Sequence, residues 1–163
     1  MKTLLLMRHA KSSWDDPDLT DIQRPLNARG RDDAPRMGRF LRDRGLIPDH
    51  VLTSSAVRAR ATGESVADAC QVSEKVTVTE SLYQADVCAW QAVIVAFPAD
   101  WNCVLCVGHN PEIEELIGTL TNRYVRMPTA AIARLTCDVP RWEEFVNSDD
   151  VSIQDVWRPK DLK

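Results

Sequence analysis

"LLLMRHAKSS", residues 4–13, is the stretch from which the fold is read. Leu4 to Met7 form a continuous apolar run, with no alternation of polar residues. That is the pattern of a strand buried on both faces, as in parallel sheets covered by helices on either side. The run ends on Arg8 and His9, a pair that costs free energy to bury and that no turn requires. In open parallel sheets ligands bind outside the carboxyl ends of the strands. The other strands therefore matter.

Two of them end in the same way. "HVLTSS" at 50–55 reads as a strand finishing at Ser54 and Ser55, with Arg58 just beyond. "CVLCVGH" at 103–109 reads as a buried strand finishing at Gly108-His109-Asn110. "KVTVTE" at 75–80 is a short strand, and "AAIARLTCD" at 130–138 is the last clear one. Helical spacing lies between them. Ala34, Met37, Phe40 and Leu41 mark a helix capped by Asn27 and closed before Gly45, with Pro35 implying a kink or a later start. Ala59, Gly63, Val66 and Cys70 mark a second, with Ser55 as its cap. Val87, Trp90, Ile94 and Phe97 mark a third, stopped by Pro98. In the fourth, Asn110 caps, Pro111 takes the first helical position, and Ile113, Leu116, Ile117 and Leu120 face inward. The tail from Arg141 receives no assignment. Strands alternating with helices give an α/β fold, three-layered, with a mostly parallel central sheet and helices on both faces. The whole chain, 1–163, reads as one domain.

Composition agrees. The 163 residues are 44% apolar or aromatic, enough for a core, and 27% charged. Twenty basic and 24 acidic side chains give a net charge of −4, which argues against a nucleic-acid-binding surface. "MKTLLLM" is too short for a signal-peptide core or a membrane span, so a cytoplasmic location is expected. Of the five cysteines, Cys103 and Cys106 have the CxxC spacing of redox and zinc motifs, but they sit in an apolar strand and read as buried hydrophobes. No metal and no cofactor are expected.

The three strand ends meet at one rim of the sheet. Arg58 falls in the first turn of its helix, where a cation opposes the helix dipole at a cost of a few tenths to about 1 kcal/mol. A bound anion would remove the conflict; alternatively the side chain points back to solvent. Two guanidiniums, Arg8 and Arg58, can grip a tetrahedral oxyanion, and the helix start after Asn110 adds N–H groups. Two of the three histidines, His9 and His109, lie on the same rim, whereas His50 begins its strand and is structural. A neutral imidazole beside a phosphate can attack phosphorus and carry the phosphoryl group covalently. Nearby arginines keep it neutral and offset charge in the transition state.

These motifs carry a resemblance. "LLLMRHAKSSW" is similar to the RHG signature of the histidine phosphatase superfamily, also called phosphoglycerate-mutase-like. "TSSAVRARAT" resembles its second-arginine motif and "VGHNP" its second-histidine motif. "RPLNARG" at 24–30 and "PTAAIARL" at 128–135 narrow the likeness to small SixA-type phosphohistidine phosphatases, in order over residues 1–137. The resemblance implies that His9 is the nucleophile and that Arg8 and Arg58 bind the phosphate. It further implies that His109 stabilises the transferring group and that Arg24 supplies a substrate contact. Ala10 stands where the family has glycine. The proton donor of many members falls near Glu80, with Asp86 second; Glu80 otherwise reads as a solvated strand-end charge. Phosphohistidine has less need of such an acid, because its leaving nitrogen can be protonated beforehand.

The expected activity is removal of phosphate from phosphohistidine on a partner protein, either a phosphotransfer domain or a phosphocarrier. Residues 59–108 are used up by a helix, a strand and a helix, which leaves no cap to enclose a small substrate. A phosphatase of small phosphomonoesters or nucleotides is the alternative enzyme. Mutase activity would need an enclosed site. A phosphate-recognition module without turnover would lack His9 or an arginine, and all are present.

Overall fold

The computed structural model of the protein describes residues 1–162. Six strands form one sheet: β1 (Lys2–Arg8), β2 (His50–Ser54), β3 (Val76–Thr79), β4 (Cys103–Gly108), β5 (Ile132–Cys137) and β6 (Ser152–Trp157). Their order is β3-β2-β4-β1-β5-β6. β1, β2, β3 and β4 are parallel, while β5 runs antiparallel to both β1 and β6. β1 is central, pairing Arg8 with Gly108 on one side and Met7 with Ile132 on the other.

Its unbroken apolar run follows from that position. Leu4 and Leu6 join the core on one face, with Trp90, Ile94, Leu116 and Phe145. Leu5 and Met7 join the core on the other, with Met37, Leu41, Ala59 and Val66. Helices α1 (Ala28–Asp43) and α2 (Val57–Ala69) cover the second face. Helices α3 (Val87–Val95), α4 (Glu112–Thr121) and α5 (Trp142–Asn147) cover the first. The expected three-layer α/β architecture is the one observed.

Local corrections concern caps and the tail. Asn27 caps α1, accepting from the Gly30 amide at 2.9 Å. The helix runs unbroken through Pro35 from Ala28, so the later start is excluded. It closes at Gly45, whose φ of 70° few side chains adopt. Ser55 does not cap α2; Ala56 occupies the cap position, and Ser54 Oγ accepts from the Ala56 amide. At α4 the cap position falls on Pro111, and Asn110 instead donates to Glu114 and to the Met127 carbonyl. Phe97 lies beyond the end of α3. The tail supplies α5 and the edge strand β6.

Cys103 and Cys106 lie three apart on β4, so they point to opposite faces, and each contributes to a different core. They cannot share a metal or a disulfide. Burial pushes the Cys103 thiol up to about 12 and Cys106 higher still. Among the described residues no helix is long and apolar enough to cross a membrane.

Candidate active site

The carboxyl ends of β1, β2 and β4 meet at one rim, because the three strands are parallel neighbours in near register. The His9 amide extends the β1–β4 ladder, donating to the Gly108 carbonyl at 3.0 Å. The antiparallel β5 brings its amino end to the same rim. There Ala130, at a φ of 63°, donates its amide to the carbonyls of both Arg8 and His9. A non-glycine residue at that dihedral costs about 1–2 kcal/mol, so the surrounding structure must enforce it.

His9 and His109 are buried, with ring centroids 5.2 Å apart. His9 Nδ1 lies 2.7 Å from the Ala10 carbonyl, which can only accept, so the proton sits on Nδ1 and the lone pair on Nε2. His109 Nε2 meets Ser54 Oγ at 2.8 Å, and its Nδ1 faces Arg58. Arg58 lies between the two rings: Nε donates to His9 Nε2 at 3.3 Å, and Nη2 stands 3.5 Å from His109 Nδ1. As Arg58 can only donate, His109 Nδ1 is the accepting nitrogen and Nε2 carries the proton. Arg8 donates to the Met127 carbonyl at 3.2 Å, and its Nε is buried with no partner. One turn after Arg58, Thr62 accepts the Ala10 amide and donates to the Arg58 carbonyl, tying the His9 loop to α2.

Both histidines are held neutral. Burial is the main cause, pushing His9 down to about 3 and His109 down to about 4. The positive charges of Arg58 and Arg8 push the same way. The arginines alone, as the sequence suggested, are the smaller part.

Arg58 resolves its conflict with the helix dipole by neither expected route. It is buried rather than solvated, and an exposed carboxylate at the rim is its partner. Asp21, on a single 3-10 turn at Asp21–Gln23, accepts from Arg58 Nη2 at 3.1 Å, and its carbonyl accepts from Nη1 at 2.6 Å. Tyr83 donates its hydroxyl to the same carboxylate at 2.7 Å. These donors hold Asp21 down to about 2, the Tyr83 bond foremost. Neither Asp21 nor Tyr83 was singled out in the sequence, because the pairs span 37 and 62 residues through irregular segments.

Arg24 does not line the cavity. Its three guanidinium nitrogens are taken by Ser13, Asp21 and Ser12, and the group stacks on Trp14 at 3.1 Å from the ring centroid. It reaches the site only through Asp21. Glu80 is exposed and also lies outside the cavity lining. Asp86 caps α3. The carboxylate that does line the cavity, besides Asp21, is Glu112 in the first turn of α4, whose Oε2 is buried without a hydrogen-bond partner. His50 stacks on Trp101 at the far end of β2, with centroids 4.1 Å apart. Among the described residues no three His, Cys, Asp or Glu side chains converge as a metal-binding group.

The cavity encloses about 170 Å³ around Arg8, His9, Arg58 and His109. It accommodates a phosphoryl group, whereas sites for whole small molecules run to about 300–1,000 Å³.

The chain is similar in sequence and in structure to known proteins. The family model of the histidine phosphatase superfamily (branch 1) matches residues 4–102. An uncharacterized chloroplastic protein of Arabidopsis thaliana is 31% identical, the match covering 88% of this chain and 70% of that one. The structure of the protein histidine phosphatase SixA complexed with tungstate superposes with a TM-score of 0.85 at 26% identity, over 99% of each chain. A chain of Nakamurella multipartitia assigned as a SixA phosphohistidine phosphatase gives 0.84 at 28% identity, over 97% of this chain and 96% of that one.

Proposed function

The chain belongs to the histidine phosphatase superfamily, and on that premise we propose that it is a phosphatase acting through a phosphohistidine on His9, with phosphohistidine of a partner protein as its substrate. One observation carries the reading: a single guanidinium, Arg58, bridges two buried neutral imidazoles at a cavity of phosphoryl size.

The resting contacts outline the steps. An arriving phosphoryl group takes the Arg58 N–H bonds onto its oxygens, which frees the His9 Nε2 lone pair. Nε2 then forms a bond to phosphorus as the bond from phosphorus to the substrate nitrogen breaks, and the substrate ring, already protonated on its other nitrogen, takes the electron pair and leaves as neutral imidazole. Arg8, with its unpartnered Nε, and Arg58 neutralise the equatorial oxygens, supplying the positive charge that a metal would otherwise supply. His109 lies on the facing side of Arg58 and contacts the transferring group. Water then attacks phosphorus, the bond to His9 breaks, and inorganic phosphate leaves. The cavity takes the phosphoryl group but not the body of a small substrate, which favours a phosphate presented on a protein surface. A cytoplasmic setting fits such a partner.

A second reading, hydrolysis of small phosphomonoesters, is favoured by Glu112. Its carboxyl group lines the cavity with Oε2 buried and unpartnered, and in its protonated form it can donate to a leaving ester oxygen.

The test is rapid-quench trapping with phosphoramidate, a phosphohistidine peptide and a simple phosphomonoester. An acid-labile phosphoenzyme should form in the parent and be absent in His9→Ala, with turnover lost by at least ~10³-fold, as for removal of a nucleophile. Near-normal turnover in His9→Ala would sink the assignment. Faster turnover of the monoester than of the phosphohistidine peptide would select the second reading.

A further inference from the structure

We infer that a basic groove beside the catalytic cavity docks an acidic surface of the partner protein, next to its phosphohistidine; the identity of that partner class rests on the reading above. The groove has two sections. The nearer, about 540 Å³, shares Arg8 and Asn110 with the catalytic cavity and adds Lys11 and Arg126. The farther, about 790 Å³, shares Arg126, Pro128 and Thr129 with the nearer and adds Arg29, Arg36, Arg158 and Lys160.

This charge is segregated. The chain is acidic overall, at −4, yet among the described residues only two carboxylates, Glu114 and Asp33, line the groove, and both are engaged. Glu114 accepts from Asn110 and from the Met127 amide at 3.0 and 2.8 Å. Asp33 faces Arg29 at 3.7 Å. Neutral acceptors help orient the arginines without cancelling their charge. Arg29 donates to the Thr129 hydroxyl, Arg36 to the Leu162 carbonyl and Arg158 to the Arg126 carbonyl. Asp161 stands 4.0 Å from Arg158. Arg126 and Lys160 are exposed. Like charges held together at a surface repel, and an opposing acidic surface relieves that repulsion and steers encounter. The two sections together exceed the volume a small-molecule site takes, and they continue directly from the atoms that grip the phosphate. A protein surface is the occupant of that size and charge.

The experiment uses two peptides of equal length with a central histidine, one flanked by glutamates and one by lysines. Each is prepared unphosphorylated, as phosphohistidine, and with phosphoserine in place of the histidine. Binding of the fluorescently labelled unphosphorylated pair to His9→Ala protein is read by anisotropy. Turnover of the phosphorylated pairs and of phosphoramidate is read on the otherwise parental enzyme. The acidic peptide should bind about tenfold tighter and show about tenfold higher kcat/KM at low salt. Both preferences should vanish at high salt and in the double variant Arg126→Glu/Lys160→Glu, while phosphoramidate turnover stays at the parental rate. Equal binding of the two peptides, or a preference that persists in the double variant, overturns the proposal. So does a variant defect confined to a small bisphosphorylated ester, which would make the groove a small-anion site. Turnover of the phosphoserine pair alone, with the acidic preference intact, would retain the groove and reject phosphohistidine as the substrate.

Discussion

Arg58 occupies the second residue of α2, where its charge is unfavourable to the helix dipole, and the burial of its guanidinium makes a partner obligatory. Asp21 supplies it. On the dipole conflict alone, Arg58→Ala would be neutral or slightly stabilising. The observed pair reverses the sign. Removing Arg58 strips donors from the Asp21 carbonyl and carboxylate and leaves a void between two imidazoles. We expect Arg58→Ala to lose about 1–3 kcal/mol of stability together with nearly all turnover. Thermal melts with and without phosphate check this: the parent should gain more from phosphate than the variant, because ligand stabilisation follows affinity. A variant that melts at or above the parent without phosphate would show that the Asp21 pair contributes nothing. At this scale the sequence revealed the groups that end regular strands, namely Arg8, His9 and His109. It did not reveal Asp21, Tyr83 or Glu112, whose approach depends on how irregular segments fold back across the rim.

Elements were legible where hydrophobic period was strong. The buried strands β1 and β4 and helices α1, α2 and α4 were read from period and punctuation. β6 escaped because it is an edge strand whose six residues are only partly buried, so no apolar run marks it. The antiparallel sense of β5 escaped because pairing direction leaves no mark on a strand buried on both faces. At α4 the expected cap Asn110 is drawn instead to Glu114, whereas at α2 the Ser55 hydroxyl is buried without a hydrogen-bond partner and the cap position falls on Ala56. The contact that sets α2, and so Arg58, is its crossing with α1. A Cβ on Gly38 would lie 2.7 Å from Ala69 Cβ and 2.9 Å from the Val66 backbone. Gly38→Ala must therefore part the two helices, and it should cost about 1–3 kcal/mol. Urea unfolding measures this; an unchanged midpoint would show that the crossing yields without strain. His9 and His109 are mounted on the sheet, so phosphoramidate kcat should fall less in Gly38→Ala than in Arg58→Ala.

For the molecule as a whole, two histidines held neutral by burial couple stability to pH. In the unfolded chain they titrate near 6.5; in the folded protein His9 is pushed down to about 3 and His109 to about 4. Above pH ~6.5 both states are neutral and nothing changes. Below it the unfolded chain takes up protons that the folded protein does not, so stability falls as pH drops from ~6.5 toward 4. The slope is up to about 1.4 kcal/mol per pH unit for each histidine. Asp21, held at about 2, keeps its charge through that window. Urea midpoints between pH 8 and pH 4.5 should be flat at the upper end and then decline, and a His9→Asn/His109→Asn variant should decline less steeply. Equal slopes in parent and variant would show that other groups govern acid unfolding.

The central place of β1 has a consequence for how the protein is made. Thr3 pairs with Cys103 and Lys2 with Cys137, so the strand that carries the nucleophile finds its neighbours 100 and 135 residues further along the chain. At translation rates of about 5–20 residues per second, β1 leaves the ribosome roughly 5–20 seconds before β4 does. During that interval its leucines have no sheet to join, and they are a natural target for a chaperone that grips short apolar segments. The rim closes only when β4 and β5 have emerged, so a ribosome-bound chain halted before residue 103 cannot bring His109 to His9. Catalytic competence therefore cannot precede the synthesis of β4 and β5.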